Sequence, residues 1–182
     1  MTLMTLIKYI DHLQHKNADD LAFYPFAALE LAIEKNRIVT CEENGECAGY
    51  LWHGPVRPGY DTVINQACVD YSARRRELGW GMVRDLISRC KAGHALGIRL
   101  RCGSNSEANV FWQTIGFYCT KVSAGGVKRK RDINHWRTDI QAPLFIVDSV
   151  APSEKLIDLR SYDKDRRNGV VMPNRFSRYH YD

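Results

Sequence analysis

Apolar side chains recur with helical spacing at the start of the chain, and this pattern predicts two amphipathic helices. The first covers residues 3–15 and carries Leu3, Leu6, Ile7, Ile10 and Leu13 along one face. A second helix is expected to begin near Pro25, a residue suited to the first helical position, with Phe26, Leu29 and Ile33 on its apolar face.

Strand-like patterns follow the helices. The runs 37–42 and 46–53 flank Asn44-Gly45, a pair that favours a hairpin because both turn positions need a positive φ. Residues 61–70 predict a third strand. Strict alternation would place Thr62, Ile64, Gln66 and Cys68 on one side of that strand, and Val63, Asn65, Ala67 and Val69 on the other.

A basic, glycine-bearing turn comes next. Arg74-Arg75-Arg76 precedes Gly79 and Gly81, and the following helix has an apolar stripe made by Met82, Val83, Leu86, Ile87 and Cys90. Backbone N–H groups at a helix start, surrounded by arginine, form an anion-binding site.

The remainder completes an α/β pattern. Residues 98–102 predict a strand, so strand 61–70, the helix and strand 98–102 form a β-α-β unit whose two strands are neighbours. Ser104-Asn105-Ser106-Glu107 reads as a capping box for a further helix that Gly116 ends. Two last strands are expected at 117–123 and 133–140.

Composition indicates a globular protein. The 182 residues are 45% hydrophobic and 26% charged, which suits one domain with its own core. We expect a cytoplasmic protein, since no apolar run approaches the roughly 20 residues of a membrane span and no signal peptide is evident. The six cysteines lack metal-ligand spacing, so buried thiols and no metal site are expected.

The charge is concentrated in the middle of the chain. Lys and Arg minus Asp and Glu gives 5 − 10 = −5 for residues 1–70, 14 − 5 = +9 for residues 71–140 and 7 − 6 = +1 for residues 141–182. The central excess predicts an anionic ligand or partner near the basic turn and near Lys128-Arg129-Lys130-Arg131.

Two motifs in this order of elements give the chain a family resemblance. Residues 76–81, Arg-Glu-Leu-Gly-Trp-Gly, fit the signature (Gln/Arg)-x-x-Gly-x-(Gly/Ala), and residues 105–117 fit a later Asn…Ala-x-x-Phe-aromatic…Gly-Phe segment. Over residues 24–140 the chain therefore resembles the GCN5-related N-acetyltransferase (GNAT) superfamily. The resemblance implies a GNAT domain at 1–143, with a mixed sheet of six to seven strands and flanking helices. Residues 144–182 are expected to form an extension that packs on the domain or is partly mobile.

The resemblance also implies acetyl-CoA as co-substrate. The backbone of the turn would hold its pyrophosphate, and the preceding strand would lie along its pantetheine arm. The cofactor-binding residues implied in this way are Ala67, Cys68, Val69, Arg74, Arg75, Arg76, Gly79, Trp80, Gly81, Met82, Asn105 and Asn109.

The implied reaction is direct attack of an acceptor amine on the acetyl thioester, with a base for the amine and an acid for the departing thiolate. The chain departs from the family here, because Trp112 stands where many members have an acidic tyrosine. Tyr118 is the candidate acid, besides Ser104 and Ser106. Asp70 and His53 are the candidate bases, and His135 competes with them.

The acceptor is left open by the sequence. The basic loop and the strand after it provide the candidate acceptor or nucleic-acid residues Lys128, Arg129, Lys130, Arg131, His135 and Trp136. One hypothesis is N-acylation of a small-molecule or protein amine. A second is modification of adenine in DNA, as by the phage Mom proteins, which are similar to the same superfamily. A third is a non-catalytic module that binds coenzyme A or nucleic acid.

Overall fold

The computed structural model describes residues 2–126 and 131–140. This part of the chain contains four helices and six strands, as the apolar periodicities predict. In chain order they are α1 (Leu3–Lys16), α2 (Phe26–Glu34), β1 (Ile38–Glu43), β2 (Glu46–His53), β3 (Thr62–Val69), α3 (Leu78–Ala92), β4 (Gly97–Gly103), α4 (Ala108–Thr114), β5 (Tyr118–Ala124) and β6 (Asp132–Asp139). A 3-10 turn at Tyr71–Ala73 lies between β3 and α3.

The six strands form a mixed sheet in the order β1-β2-β3-β4-β6-β5. The predicted α/β class and the predicted adjacency of β3 and β4 are therefore confirmed. The chain divides into two compact units, with the division between Ile98 and Arg99 inside β4.

The first unit is built on the β1–β2–β3 meander. Asn44 and Gly45 have φ values of 52° and 82°, so the predicted hairpin turn is confirmed. One face of the meander is covered by α1 and α2, whose buried Ile7, Ile10, Leu13 and Leu29 pack with Tyr50 and Cys68. The apolar stripe of α3 is buried against the strands as well.

Strand β3 contains a β-bulge that the alternating pattern hides. Trp52 is paired with Gln66, but the next residue, His53, is paired with Ile64, so Asn65 has no partner on β2. Because neighbours on β2 point to opposite faces, Gln66 and Ile64 also point to opposite faces. The expectation that Thr62, Ile64, Gln66 and Cys68 share one face is therefore wrong, although all four are buried.

The second unit packs α4 on one face of the β5–β6 pair. The predicted capping box does not form: Glu107 precedes α4 in a helical conformation and its side chain caps nothing. The reason is a competing network. Asn109 donates to the carbonyl oxygens of Gly103 and Ser106, each at 2.7 Å, and holds the preceding loop in another shape.

Two stretches that carry sequence predictions lie outside the described residues. They are residues 127–130, which include Lys128, Arg129 and Lys130, and residues 141–182, which include the C-terminal extension. The division into a domain at 1–143 and an extension at 144–182 stays a prediction.

Candidate active site

The turn between β3 and α3 is held in an unusual backbone shape. The side chain of Asp70 accepts from the N–H of Ser72 at 3.1 Å and caps the 3-10 turn. Arg75 and Glu77 then adopt left-handed conformations, with φ values of 64° and 61°. Non-glycine residues rarely adopt this region, and such conformations concentrate at functional sites. The capped turn and the two left-handed residues together fix where α3 starts and in which direction it runs.

The first turn of α3 presents N–H groups without a side-chain cap. Its N-cap residue, Glu77, makes no side-chain capping hydrogen bond, and the first turn contains no acidic residue. The N–H groups of Leu78, Gly79 and Trp80 therefore lie at the positive end of the helix dipole. A Cβ added to Gly81 would meet no atom within 4 Å, so there is open space beside this turn. An anion fits here.

Three exposed arginines precede these N–H groups, and they are held differently. Arg74 donates from Nε to the carbonyl of Val69 at 3.2 Å and lies over the ring of Tyr71. Arg76 forms an ion pair with Glu43. Arg75 has no hydrogen bond or ion pair with a described residue, so its guanidinium is available for a ligand.

The end of β3 offers backbone rather than side chains. The thiol of Cys68 is buried, and burial raises its pKa to about 11, so this residue contributes main-chain groups only. Ala67 and Val69 are half-buried. The sequence placed the exposed Asn65 on one side of a regular strand but did not predict the bulge there, because a bulge leaves no mark in an alternating pattern.

Asp70 is committed to structure rather than available as a base. It accepts from Lys16 Nζ at 3.1 Å and from Ser72. Burial alone would raise the pKa of its carboxyl, but these hydrogen bonds and the charge of Lys16 outweigh burial and lower the pKa below its ordinary value. A carboxylate with a lowered pKa is a weaker base.

The Asp70→Asn variant separates these two roles. Asparagine still caps, so the expected loss is only the ion pair with Lys16, roughly 0.2–1 kcal/mol of unfolding free energy at neutral pH for a pair near the surface. Because the folded pKa is lowered, the contribution is complete above the unfolded pKa. It disappears as the pH falls from about 5 through the folded pKa. Urea unfolding of both proteins at several pH values measures this, and a pH-independent difference would contradict it.

His53 lies far from the turn. It is paired with Ile64, five residues before the end of β3, or roughly 16 Å along the strand. It is buried, its Nδ1 lies 2.7 Å from the carbonyl oxygen of Gly54, and no described group bonds to Nε2. Nδ1 is therefore the protonated nitrogen. Burial lowers the pKa of this imidazole and keeps it neutral, so it is a basic nitrogen inside the protein, away from the anion site.

Tyr118 and Trp112 belong to the second unit. The hydroxyl of Tyr118 donates to Asp139 at 2.8 Å and accepts from Arg137 at 2.9 Å. Burial and the carboxylate of Asp139 raise the pKa of this phenol, which makes it a weaker acid. Trp112 is buried in edge-to-face contact with Phe111 and Phe117. Neither residue has the features of a general acid.

Asn109 is a structural centre of the second unit, although the resemblance implied a cofactor contact. Its side chain is 1% exposed. Its Nδ2 also donates a longer bond to the carbonyl of Ser104 at 3.3 Å, and its Oδ1 accepts from Asn134 at 3.0 Å and from the Trp136 indole at 2.9 Å. All its bonding capacity is used. Asn105 is exposed and its Oδ1 accepts from Arg131 at 3.2 Å.

The candidate acceptor residues within the described part of the chain differ in their exposure to solvent. Trp136 is 1% exposed, so its ring is not available to stack on a nucleobase. His135 is half-buried, and its Nε2 lies 2.9 Å from Ser123 Oγ. His135 and Arg131 therefore stay candidates for contact with an acceptor or a nucleic acid, whereas the burial of Trp136 excludes it.

Three other sequence expectations concern thiols, metals and membranes. The six cysteines form no disulfide; two are buried and four half-buried. Within residues 2–126 and 131–140, no cluster of three His, Cys, Asp or Glu side chains could hold a metal ion. No helix in this part of the chain is long and apolar enough to cross a membrane.

Comparison with solved structures identifies the fold. Ard1 from Thermoplasma volcanium superimposes with a TM-score of 0.66 at 18% identity, covering 78% of this chain and 95% of that one. The yncA protein from Salmonella typhimurium, solved with its cofactor acetyl-CoA, gives 0.63 at 15% identity, covering 79% and 91%. A protein from Desulfovibrio desulfuricans assigned to the GNAT family gives 0.56 at 13% identity, covering 65% and 84%.

The chain therefore has the GNAT fold. No protein-family model and no curated protein sequence matches it.

Proposed function

We propose that the protein is an acetyl-CoA-dependent N-acetyltransferase, and the observation that carries this is the uncapped start of α3. The N–H groups of Leu78, Gly79 and Trp80 follow a strand and a basic turn, with no acid in the first helical turn. This arrangement suits a pyrophosphate. The proposal is supported by the fold, since a solved structure of similar fold contains acetyl-CoA.

In this proposal, the first turn of α3 and Arg75 bind the pyrophosphate, and the backbone at Ala67–Val69 orients the pantetheine arm. Acetyl-CoA would supply an activated acetyl thioester. An acceptor amine would attack its carbonyl carbon, the amine would lose a proton, and the thiol would leave. The chain contributes mainly by fixing the position of the thioester, which can account for much of a rate enhancement.

Strong acid–base assistance is not expected from the candidates that the sequence suggested. Asp70 and Tyr118 are hydrogen-bonded to other groups, and their pKa values are shifted away from neutrality. The acceptor amine therefore has to arrive neutral or lose its proton to water. We accordingly expect the transfer rate to rise with pH until the amine of the acceptor is fully deprotonated.

Incubating the full chain with acetyl-CoA and separate acceptors tests the proposal. A peptide with a free N-terminus, a small polyamine and an adenine-containing oligonucleotide represent the three acceptor classes. The expected result is release of free thiol together with the mass gain of one acetyl group on one acceptor. Binding of acetyl-CoA without transfer to any acceptor would favour the non-catalytic module, and absence of binding at millimolar acetyl-CoA would overturn the proposal.

The hypothesis of base modification in DNA has no support from the described part of the basic loop. Lys128, Arg129 and Lys130 lie outside the described residues, and Arg131 is hydrogen-bonded to Asn105. Modification of DNA therefore stays a prediction, which the oligonucleotide in the acceptor panel tests.

A further inference from the structure

Two basic side chains lie on the face of the β5–β6 pair that is turned away from α4, and two more are exposed on the neighbouring strand β4. Asn134 and Trp136 on β6 bond to Asn109 of α4, so His135 between them points to the opposite face. Lys121 on β5 is paired with His135. Arg99 and Arg101 on β4 are exposed, and β4 is the other neighbour of β6. We call Arg99, Arg101, Lys121 and His135 the basic face.

The charges of the basic face act on one another. After burial, the charges of Lys121, Arg101 and Arg99 are what lowers the pKa of His135, so all three cations lie near its ring. Like charges on neighbouring strands destabilise a sheet. A bound anion would relieve this repulsion.

No acidic side chain described in the second unit neutralises the basic face. The acids described in the second unit are Glu107, Asp132 and Asp139. Glu107 precedes α4, Asp132 is buried, and Asp139 pairs with Arg137. Arg99, Arg101 and Lys121 form no ion pair with any described residue. Their charges are therefore available to a partner.

The layout of the basic face suits a chain of phosphates better than a single small anion. Residues two apart on a strand are roughly 6.6 Å apart, and three neighbouring strands span roughly 10 Å. Cations spread over this distance contact several phosphates at once. Arginine, which provides two of the four groups, binds phosphate with two parallel hydrogen bonds.

We propose that the basic face binds the phosphate backbone of a nucleic acid without reading its sequence. Backbone contacts of this kind release counterions, so they weaken steeply as salt increases. This inference rests on the second unit alone and does not depend on the proposed acetyl transfer.

Fluorescence anisotropy with the full chain and a labelled double-stranded DNA oligonucleotide tests the inference. The double variant Arg99→Gln/Arg101→Gln should bind at least about tenfold more weakly at roughly 0.1 M salt, and its slope of log K against log salt should fall by about 1.8. The matched control is Arg57→Gln/Arg84→Gln. It removes the same charge from two exposed arginines elsewhere and should stay within about twofold of the unmodified protein, a difference well under 1 kcal/mol.

Three results would overturn the inference. The first is equal affinities for the two double variants, and the second is no binding by the unmodified protein at about 50 mM salt. The third is binding of polyglutamate, which stands in for an acidic protein partner, to the basic face. Acetyl-CoA binding by the same variants keeps the two proposals apart. It should be unchanged in Arg99→Gln/Arg101→Gln, which also shows that the variant is folded.

Discussion

Replacing Asn109 with alanine is expected to destabilise the protein by about 3–5 kcal/mol. The change would leave two buried N–H donors, of Asn134 and Trp136, without their partner, whereas the carbonyl oxygens of Gly103 and Ser106 lose one bond each but keep a backbone N–H donor. Each unsatisfied buried group costs about 1–3 kcal/mol, and partial access of water to the space reduces the sum. Since whole domains are stable by only about 5–15 kcal/mol, urea unfolding should show a large shift of the midpoint.

The same variant distinguishes the structural role of Asn109 from the cofactor contact implied by the family resemblance. A cofactor contact predicts unchanged stability and weaker acetyl-CoA binding. The structural role predicts that the loss of stability is the larger effect and that acetyl-CoA binding changes less. Val110→Ala, which changes an exposed neighbour on α4, should stay within about 0.5 kcal/mol of the unmodified protein. An Asn109→Ala protein as stable as Val110→Ala would contradict the structural role.

Replacing Gly81 with aspartate is expected to weaken acetyl-CoA binding by about 100-fold, which corresponds to about 2.7 kcal/mol. The open space beside Gly81 accepts the side chain, so folding should be preserved. An acid in the first turn interacts favourably with the helix dipole, and glycine is a poor helix former. The free energy of unfolding of the variant should therefore be unchanged or higher. The carboxylate would instead repel a pyrophosphate at the N–H groups of α3.

Gly81→Ala is the matched control for the charge. It fills the same space without adding charge, should stabilise α3 by up to about 1 kcal/mol, and should keep the acetyl-CoA affinity within about fivefold, or 1 kcal/mol. Calorimetric titration of both variants measures the affinities. Equal affinities for Gly81→Asp and Gly81→Ala would place the pyrophosphate elsewhere.

The sequence predicted the elements well wherever local chemistry decides the structure. The spacing of Ile7, Ile10 and Leu13 predicts α1, and the positive φ that Asn44 and Gly45 tolerate predicts the hairpin. The basic turn before α3 was also predicted, because glycine spacing and arginine content are visible in a one-dimensional pattern. What binds at that turn follows from the family resemblance and not from the pattern.

The sequence predicted poorly wherever long-range hydrogen bonds decide the structure. The Ser104–Glu107 pattern is typical of a capping box, but Asn109 bonds to the same loop and prevents it. The bulge at Asn65 reverses the faces of β3 without changing the alternation of buried residues. Asp70 and Tyr118 look like catalytic residues in the sequence, whereas Lys16, Ser72, Arg137 and Asp139 bond to them in the fold.

The basic face is a further feature that the sequence could not predict, because residues distant in the chain form it. Arg99 and Arg101 are unremarkable in the sequence, since alternating arginines on a strand usually indicate a solvated face. The two arginines form a basic face only together with Lys121 and His135, which belong to strands that come after α4 in the chain and which the sheet places beside them.

The central claim is that the first turn of α3 binds the pyrophosphate of acetyl-CoA, and amide NMR tests it most directly. The backbone amide signals of Leu78, Gly79 and Trp80 should shift when acetyl-CoA is added. They should also shift with ADP, which carries the pyrophosphate and adenosine without the pantetheine arm, and should remain in place with acetyl-pantetheine, which lacks the pyrophosphate. Unshifted signals for these three amides at saturating acetyl-CoA, with shifts only elsewhere or none at all, would contradict the account.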